Sequence, residues 1–198
     1  AHYDLGNDFY QLFLDPTLTY SAGVFEHNEA TMEEASLAKI DRLCEKLDLR
    51  PEHHLLEVGT GWGAFAIRAA QTRGCRVTTT TISKEQHRLA LQRVKAAGLE
   101  GRVTVLEQDY RDLTGSYDRI VSVEMIEAVG HPYYEEYFKT LGRLLKADGL
   151  CAIQAITIQD QIYDRAAKSV DFIQRYVFPG STIPSLTRIL GAATKSSD

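Results

Sequence analysis

One stretch, LLEVGTGWG at residues 55–63, restricts the fold of this chain more than any other. Its short apolar run predicts a buried parallel strand, and the apolar residues that follow Gly63 are typical of a helix. Three glycines at 59, 61 and 63 let the backbone turn sharply and let a ligand lie almost against the main chain. The stretch therefore predicts a strand, a turn and a helix with a ligand pocket at the turn.

The residues around this turn indicate which ligand the pocket would hold. Gly59, Gly61 and Ala64 also fit the loose dinucleotide fingerprint, which requires an acidic residue about 20 residues later, at the end of the second strand. Here the second strand, 76–82, ends without a carboxylate. Glu57 is placed to accept a hydrogen bond from a cationic amine, which S-adenosylmethionine (SAM) has and NAD lacks. We therefore favour SAM over a dinucleotide, and a tight turn without a ligand stays a third alternative.

The rest of the chain alternates between strand-like and helix-like patterns. Apolar runs predict strands at 55–58, 76–82, 103–106, 117–123 and 150–158, and the helix before the last strand is expected to end at Gly149. This alternation predicts an α/β fold with a doubly wound, Rossmann-like sheet in the order 3-2-1-4-5. A closing hairpin is missing after the fifth strand, which suggests a truncated chain.

Size and charge predict one domain and exclude one class of partner. The chain has 198 residues, enough for a sizeable core. We divide it into a helical lid over 1–50, a Rossmann-like core over 51–160 and a helical, substrate-side segment over 161–198. A net charge of -5 without a long basic run argues against a nucleic-acid partner.

Cysteine usage and hydropathy indicate the compartment. Cys44, Cys75 and Cys151 are scattered and lack metal spacing, so we predict buried thiols in a reducing cytoplasm and no metal site. No uninterrupted apolar stretch approaches the about 20 residues of a membrane span, and no signal peptide is visible. We therefore expect a cytoplasmic protein.

Polar residues follow the predicted strands at the edge where open α/β sheets bind ligands. The segment 124–132 after the fourth strand holds two carboxylates and His131, which are costly to bury without a purpose. His131 is either a cap or loop residue or a catalytic base. Gln154, in the fifth strand, either hydrogen-bonds neighbouring side chains or lines a pocket.

Several segments together resemble the cyclopropane-fatty-acyl-phospholipid synthase family of SAM-dependent methyltransferases. Besides the glycine turn, they are HYDLGNDFY, TYSAGVF, SVEMIEAVGH, AIQAITI and YVFPGSTIPS. The similarity spans residue 2 to about residue 193. Most class I methyltransferases share the glycine turn, whereas the N-terminal segments and FPG-x-x-x-PS are more specific to this family.

The resemblance implies an enzyme of lipid biosynthesis. Its substrate would be a cis double bond in a phospholipid acyl chain at the membrane surface, reached from the inner face. The double bond attacks the sulfonium methyl, and the resulting carbocation loses a proton and closes a cyclopropane ring. The family's base is a bound bicarbonate held by a polar cluster. The oligomeric state stays open, and a homodimer is one alternative.

The resemblance also assigns residues to the cofactor and to catalysis. The methionine end, the ribose and the adenine of SAM would contact Tyr20, Ser21, Glu57, Gly59, Thr60, Gly61, Gly63, Thr81, Ile82, Gln86, Asp109, Tyr110 and Arg111. Glu127 matches the glutamate that organises the bicarbonate. Gln154 and His131 complete the candidate catalytic residues.

The chain departs from better-known family members in its base cluster. It has Ala22 where they have cysteine, and Ala128 and Gln154 where they have histidine. Their active-site tyrosine lies beyond residue 198. The segments around Glu127 and Gln154 look more like the plant-type branch. Cyclopropane formation therefore has two alternatives: a methyl transferase giving branched lipid or a methylated small amine, and a catalytically silent SAM- or lipid-binding module.

Overall fold

A parallel sheet of five strands positions the functional part of this chain, in a computed structural model that describes residues 7–196. Along the chain the strands are β1 (His54–Val58), β2 (Arg76–Thr81), β3 (Val103–Glu107), β4 (Tyr117–Val123) and β5 (Leu145–Gln154). Their order in the sheet is β3-β2-β1-β4-β5, with every neighbouring pair parallel. The predicted fold class and strand order are confirmed.

Helices cover both faces of the sheet. In the described residues they are α1 (Asn7–Gln11), α2 (Met32–Lys46), α3 (Ala64–Arg73), α4 (Lys84–Ala96), α5 (Ile126–Val129), α6 (Tyr134–Leu144), α7 (Asp160–Ala166), α8 (Phe172–Tyr176) and α9 (Leu186–Thr194). One buried cluster joins the sheet to α2, α3 and α4, and a second joins it to α6 and α9. At the start of α2, Thr31 and Glu34 form a capping box.

The prediction for the start of β5 was wrong. Helix α6 ends at Leu144 rather than at Gly149, and the strand begins five residues earlier than the sequence pattern indicated. The cause is a register shift, since Leu145 pairs with Tyr117 but Leu150 already pairs with Arg119. The residues between Leu145 and Leu150 form a bulge in β5. Gly149 lies so close to Leu145 in this bulge that a Cβ on Gly149 would be 2.6 Å from the Leu145 side chain. Gly149 therefore serves a bulge and not a helix end.

The N-terminal segment packs over the glycine turn. Tyr10 of α1 is fully buried with its ring 4.6 Å from that of Trp62, and Trp62 Nε1 donates to Asn7 Oδ1 at 2.7 Å. Residues 2–6, the first part of HYDLGNDFY, lie outside the described residues. The centroid of the Tyr10 ring also lies 5.5 Å from that of Tyr20, so the segment that holds Tyr20 packs against α1.

Two further expectations have outcomes in the structure. Cys44 and Cys75 are buried, but the prediction for Cys151 was wrong, because it is exposed on β5 at the edge of the described sheet. Among residues 7–196, no helix combines the length and the apolar character that crossing a bilayer requires.

Candidate functional site

The glycine turn after β1 leaves open space above its backbone. Gly59, Gly61 and Gly63 have φ angles of 101°, 54° and 88°, which side chains rarely adopt. A Cβ on Gly61 would meet no atom within 4 Å, whereas one on Gly63 would lie 3.4 Å from the Cβ of Ala90. The first part of the turn therefore faces a cavity, and Gly63 serves the packing of α3 against α4.

A cavity of about 540 Å³ lies at the carboxyl ends of β1, β2 and β4. Twelve of the thirteen predicted cofactor residues line it: Tyr20, Ser21, Glu57, Gly59, Thr60, Gly61, Thr81, Ile82, Gln86, Asp109, Tyr110 and Arg111. The thirteenth, Gly63, does not line it. These twelve residues come from four separate segments of the chain and share one space, which is the arrangement expected at the switch point of a doubly wound sheet.

Glu57 is a buried carboxylate at the floor of this cavity. Its side chain accepts a hydrogen bond of 2.6 Å from Thr79 Oγ1 and is 3% exposed. Burial raises the pKa of Glu57 to about 8, while the hydrogen bond from Thr79 and the charge of Lys39 lower it. A carboxylate in this position is stabilised by a cationic ligand group, so Glu57 suits the amine of a ligand.

The part of the cavity at the ends of β2 and β3 offers surface for a flat aromatic ring such as a nucleobase. Thr81 Oγ1 donates to Gln86 Oε1 at 2.9 Å, which fixes both side chains at the end of β2. Ile82 is 76% exposed there, and Tyr110 follows β3. Asp109 pairs with Arg111 at 2.7 Å, and this hydrogen bond holds the pKa of Asp109 below its usual range.

Glu124 is a functional candidate that sequence reasoning did not select. It lines the cavity at the end of β4 with φ 48°, a strained conformation for a residue with a side chain. Its Oε1 accepts hydrogen bonds from the backbone N–H of Ala22 at 2.8 Å and from Gln154 Nε2 at 2.9 Å. Gln154 Nε2 also donates to the carbonyl of Ala22 at 3.2 Å. The three residues form a polar cluster, which we call the Glu124 cluster.

Glu127 lies beside this cluster, outside the residues that line the cavity. Its Oε1 accepts a hydrogen bond of 2.5 Å from the backbone N–H of Ile156, two residues after Gln154. Its Oε2 is buried and has no hydrogen-bond partner among the described residues. Burial raises the pKa of Glu127, and the charge of Glu124 adds to this effect. A hydrogen-bond donor from a ligand would satisfy the second oxygen.

His131 lies apart from the other candidate catalytic residues. It is exposed on a short 3-10 turn, His131–Tyr133, and it does not line the cavity. Within residues 7–196, no hydrogen bond or ion pair joins it to Glu124, Glu127 or Gln154. A catalytic role for His131 stays a prediction without a contact to support it.

Fold and site together define the class of protein. The sheet order, the glycine turn after β1 and the carboxylate that precedes it give the fold of the SAM-dependent methyltransferases. Within this class, the chain belongs to the family described as mycolic acid cyclopropane synthetase, whose model matches residues 1–197. SAM is the cofactor of this family. The resemblance seen in the sequence is confirmed.

Individual relatives match nearly all of this chain but are themselves longer. It is 44% identical over 197 residues to tuberculostearic acid methyltransferase UfaA1 of Mycobacterium tuberculosis, covering 96% of this chain and 46% of that protein. It is 40% identical over 189 residues to the cyclopropane-fatty-acyl-phospholipid synthase of Escherichia coli, covering 95% and 47%. The chain spans about half the length of these two relatives.

A solved structure matches the fold closely. The mycolic acid cyclopropane synthase CmaA1 complexed with SAH and CTAB superposes with a TM-score of 0.91 at 37% identity. The match covers 98% of this chain and 72% of that structure.

Proposed function

We propose that this chain carries the methyl-transfer site of a lipid-modifying enzyme, which adds a methylene across a cis double bond of phospholipid acyl chains. The observation that carries the proposal is the Glu124 cluster, because a carboxylate held by two N–H groups faces the same cavity as the glycine turn. A proton acceptor is therefore close to where a cofactor would lie. The E. coli relative, a cyclopropane-fatty-acyl-phospholipid synthase, supports the same chemistry.

The residues around the cavity fit SAM. The open space above Gly61 accepts a ligand against the backbone, and Glu57 offers a buried carboxylate for the amine. Ile82 and Tyr110 offer surface for the adenine. When bound, SAM supplies an electrophilic methyl group on its sulfonium. The role of these residues is to orient the cofactor and to keep water from the methyl.

The Glu124 cluster supplies the base in this proposal. The alkene π electrons form a carbon–carbon bond to the methyl as its bond to sulfur breaks, which leaves a carbocation on the acyl chain. Glu124 then accepts a proton from the added methyl, and the electrons of that C–H bond close the ring. The N–H groups of Ala22 and Gln154 hold the carboxylate in place. A bicarbonate bound near Glu127 stays the alternative base.

Exposed apolar side chains support a lipid as the partner. Tyr20 lines the cavity. The centroid of its ring lies 6.1 Å from that of Phe13 and 6.5 Å from that of Phe178. Other large apolar side chains on α1, just after it and on α8 are also exposed: Phe9, Leu12, Phe172, Ile173 and Tyr176. Exposed apolar side chains near a cavity residue suit the acyl chain of a membrane lipid. Attachment at the inner membrane face is part of this proposal.

Analysis of the reaction product tests the proposed function. The full-length protein would be incubated with SAM and vesicles of an unsaturated phospholipid, and the lipids would be analysed by mass spectrometry and proton NMR. We expect a gain of one CH₂ per acyl chain together with loss of the alkene protons and gain of cyclopropane protons. Methylation of soluble amines alone would refute the lipid assignment, and SAH binding without any transfer would indicate a silent module.

A methyl-branched lipid is the second candidate product. It is favoured by the 44% identity to a relative named as a methyltransferase rather than as a cyclopropane synthase. In the same NMR spectra this product would show a new methyl or methylene signal and no cyclopropane protons.

Glu127→Gln is expected to spare cofactor binding and to slow product formation by about 10²-fold, the cost of displacing reacting groups by about 1 Å. The amide oxygen still accepts from Ile156 N–H, but the negative charge beside the Glu124 cluster is lost. Calorimetry with SAH and a lipid product assay measure the two effects. Glu33→Gln, an exposed substitution on α2, is the charge-matched control. An unchanged rate would remove Glu127 from the mechanism.

A further inference from the structure

Lys39 is a buried cation in the wall of the cavity. It lies on α2 and is only 4% exposed, among apolar neighbours on the same helix such as Ile40 and Leu43. Its ammonium donates to Ser21 Oγ at 2.6 Å, and both residues line the cavity. Lysine is almost never buried to this extent unless its charge is paired. We therefore expect the charge of Lys39 to be paired with an anionic group.

The described residues leave most of the hydrogen-bonding capacity of Lys39 unused. An ammonium has three N–H donors, and within residues 7–196 its one hydrogen-bond partner is the Ser21 hydroxyl. No carboxylate of that part of the chain forms an ion pair with it. Glu124, Glu57 and Asp15 attract it only through space, and burial lowers the pKa of Lys39. A buried ammonium with unused donors beside open space is suited to an anionic ligand group.

The chemistry of the cofactor identifies that group. The amino-acid end of SAM is a zwitterion, with one ammonium and one carboxylate on the same carbon. Glu57 and Lys39 line the same cavity, and each favours the charged form of the other, since Lys39 lowers the pKa of Glu57 and Glu57 raises that of Lys39. A site that contains both charges matches both ends of the zwitterion, with Glu57 toward the amine and Lys39 toward the carboxylate.

We propose that Lys39, together with the hydroxyl of Ser21, binds the α-carboxylate of the cofactor's methionine moiety. The proposal rests on the proposed function, since it takes SAM as the ligand. Ser21 Oγ accepts from Lys39 and keeps its own proton, which it donates to a carboxylate oxygen. The lysine thus acts both as a charge partner and as the group that orients Ser21. This assigns a binding role to a residue of α2, a helix whose buried apolar residues pack in the core.

Removal of the carboxylate from the ligand tests this role without any catalytic turnover. Calorimetry would compare SAH with decarboxylated SAH in the wild type, in Lys39→Met and in Lys46→Met. Lys46 is exposed at the end of the same helix and controls for the loss of one positive charge. We expect the wild type and Lys46→Met to bind SAH about 10- to 100-fold more tightly than the decarboxylated ligand, as for a hydrogen-bonded charge pair. Lys39→Met should bind the two ligands with nearly equal affinity.

The outcomes separate this role from a structural one and from failure of the proposed function. Equal weakening of both ligands by Lys39→Met would overturn the proposal, because a lysine that only supports the fold or keeps Glu57 ionised would not distinguish them. Preserved discrimination in Lys39→Met would overturn it as well. No binding of SAH by the wild type would instead refute the proposed function.

A second variant keeps the test valid if Lys39→Met does not fold, which thermal unfolding would reveal. Ser21→Ala leaves the buried cation in place and removes only the hydroxyl between it and the ligand. We expect it to reduce the discrimination between the two ligands by about tenfold, the value of one hydrogen bond to a charged group. Full discrimination in Ser21→Ala would remove Ser21 from the carboxylate site and overturn the proposal.

Discussion

Gly61→Val is expected to lower the affinity for SAH by about 5- to 150-fold while leaving the chain folded. Gly61 lines the cavity with φ 54°, and a Cβ there would meet no protein atom within 4 Å. The valine side chain would therefore occupy the space of the ligand and not that of the core. Overpacking costs about 1–3 kcal/mol even where neighbours can shift, and a tenfold change in affinity corresponds to about 1.4 kcal/mol. Calorimetry with SAH measures the loss.

A matched substitution separates this effect from backbone strain. Gly98, just after α4, has a similar φ of 67°, and a Cβ there would also meet no atom within 4 Å. It does not line the cavity. Gly98→Val should therefore lose a similar stability, about 1–3 kcal/mol from the strained conformation, yet bind SAH as the wild type does. Unchanged affinity in Gly61→Val would place the cofactor away from the turn.

The fold could be predicted where the determining signals are local. The apolar run and glycines at 55–63 specify β1 and its turn within nine residues, and each later strand carries its own apolar pattern. The start of β5 could not be predicted in this way. It depends on a bulge in β5, in which Leu145 pairs with Tyr117 of β4 and Leu150 with Arg119. Pairing with another strand leaves no pattern in the local sequence.

The same distinction applies to the candidate site. Candidate cofactor residues at strand ends can be selected because their position relative to a strand is visible in the sequence and because the resemblance assigns them. Glu124 cannot be selected in this way, since the hydrogen bond that makes it a candidate comes from Ala22, 102 positions away in the chain. Lys39 was missed because it falls within an amphipathic helix, where a lysine predicts a solvated face. Only the structure shows that its side chain is buried.

Glu124→Gln is expected to slow product formation by about 10²- to 10⁴-fold, the range for loss of a general base, with SAH binding retained. The amide keeps the shape of the side chain, and its oxygen still accepts from Ala22 N–H or Gln154 Nε2, but it cannot take a proton from the acyl chain. Glu26→Gln, an exposed substitution outside the residues that line the cavity, should leave both quantities unchanged. A full rate in Glu124→Gln would place the base elsewhere.

Glu124→Gly distinguishes the built-in carboxylate from a bound bicarbonate as the base. Glycine adopts the φ of 48° without strain and leaves the N–H of Ala22 and the amide of Gln154 without their acceptor. Added bicarbonate would fit this space and meet the same donors, so we expect it to restore part of the rate in Glu124→Gly and to leave the wild type unaffected. If the wild type instead lost its activity when bicarbonate was removed from the buffer, the base would be the bound ion, because Glu124 already satisfies both donors and needs no such ion to act.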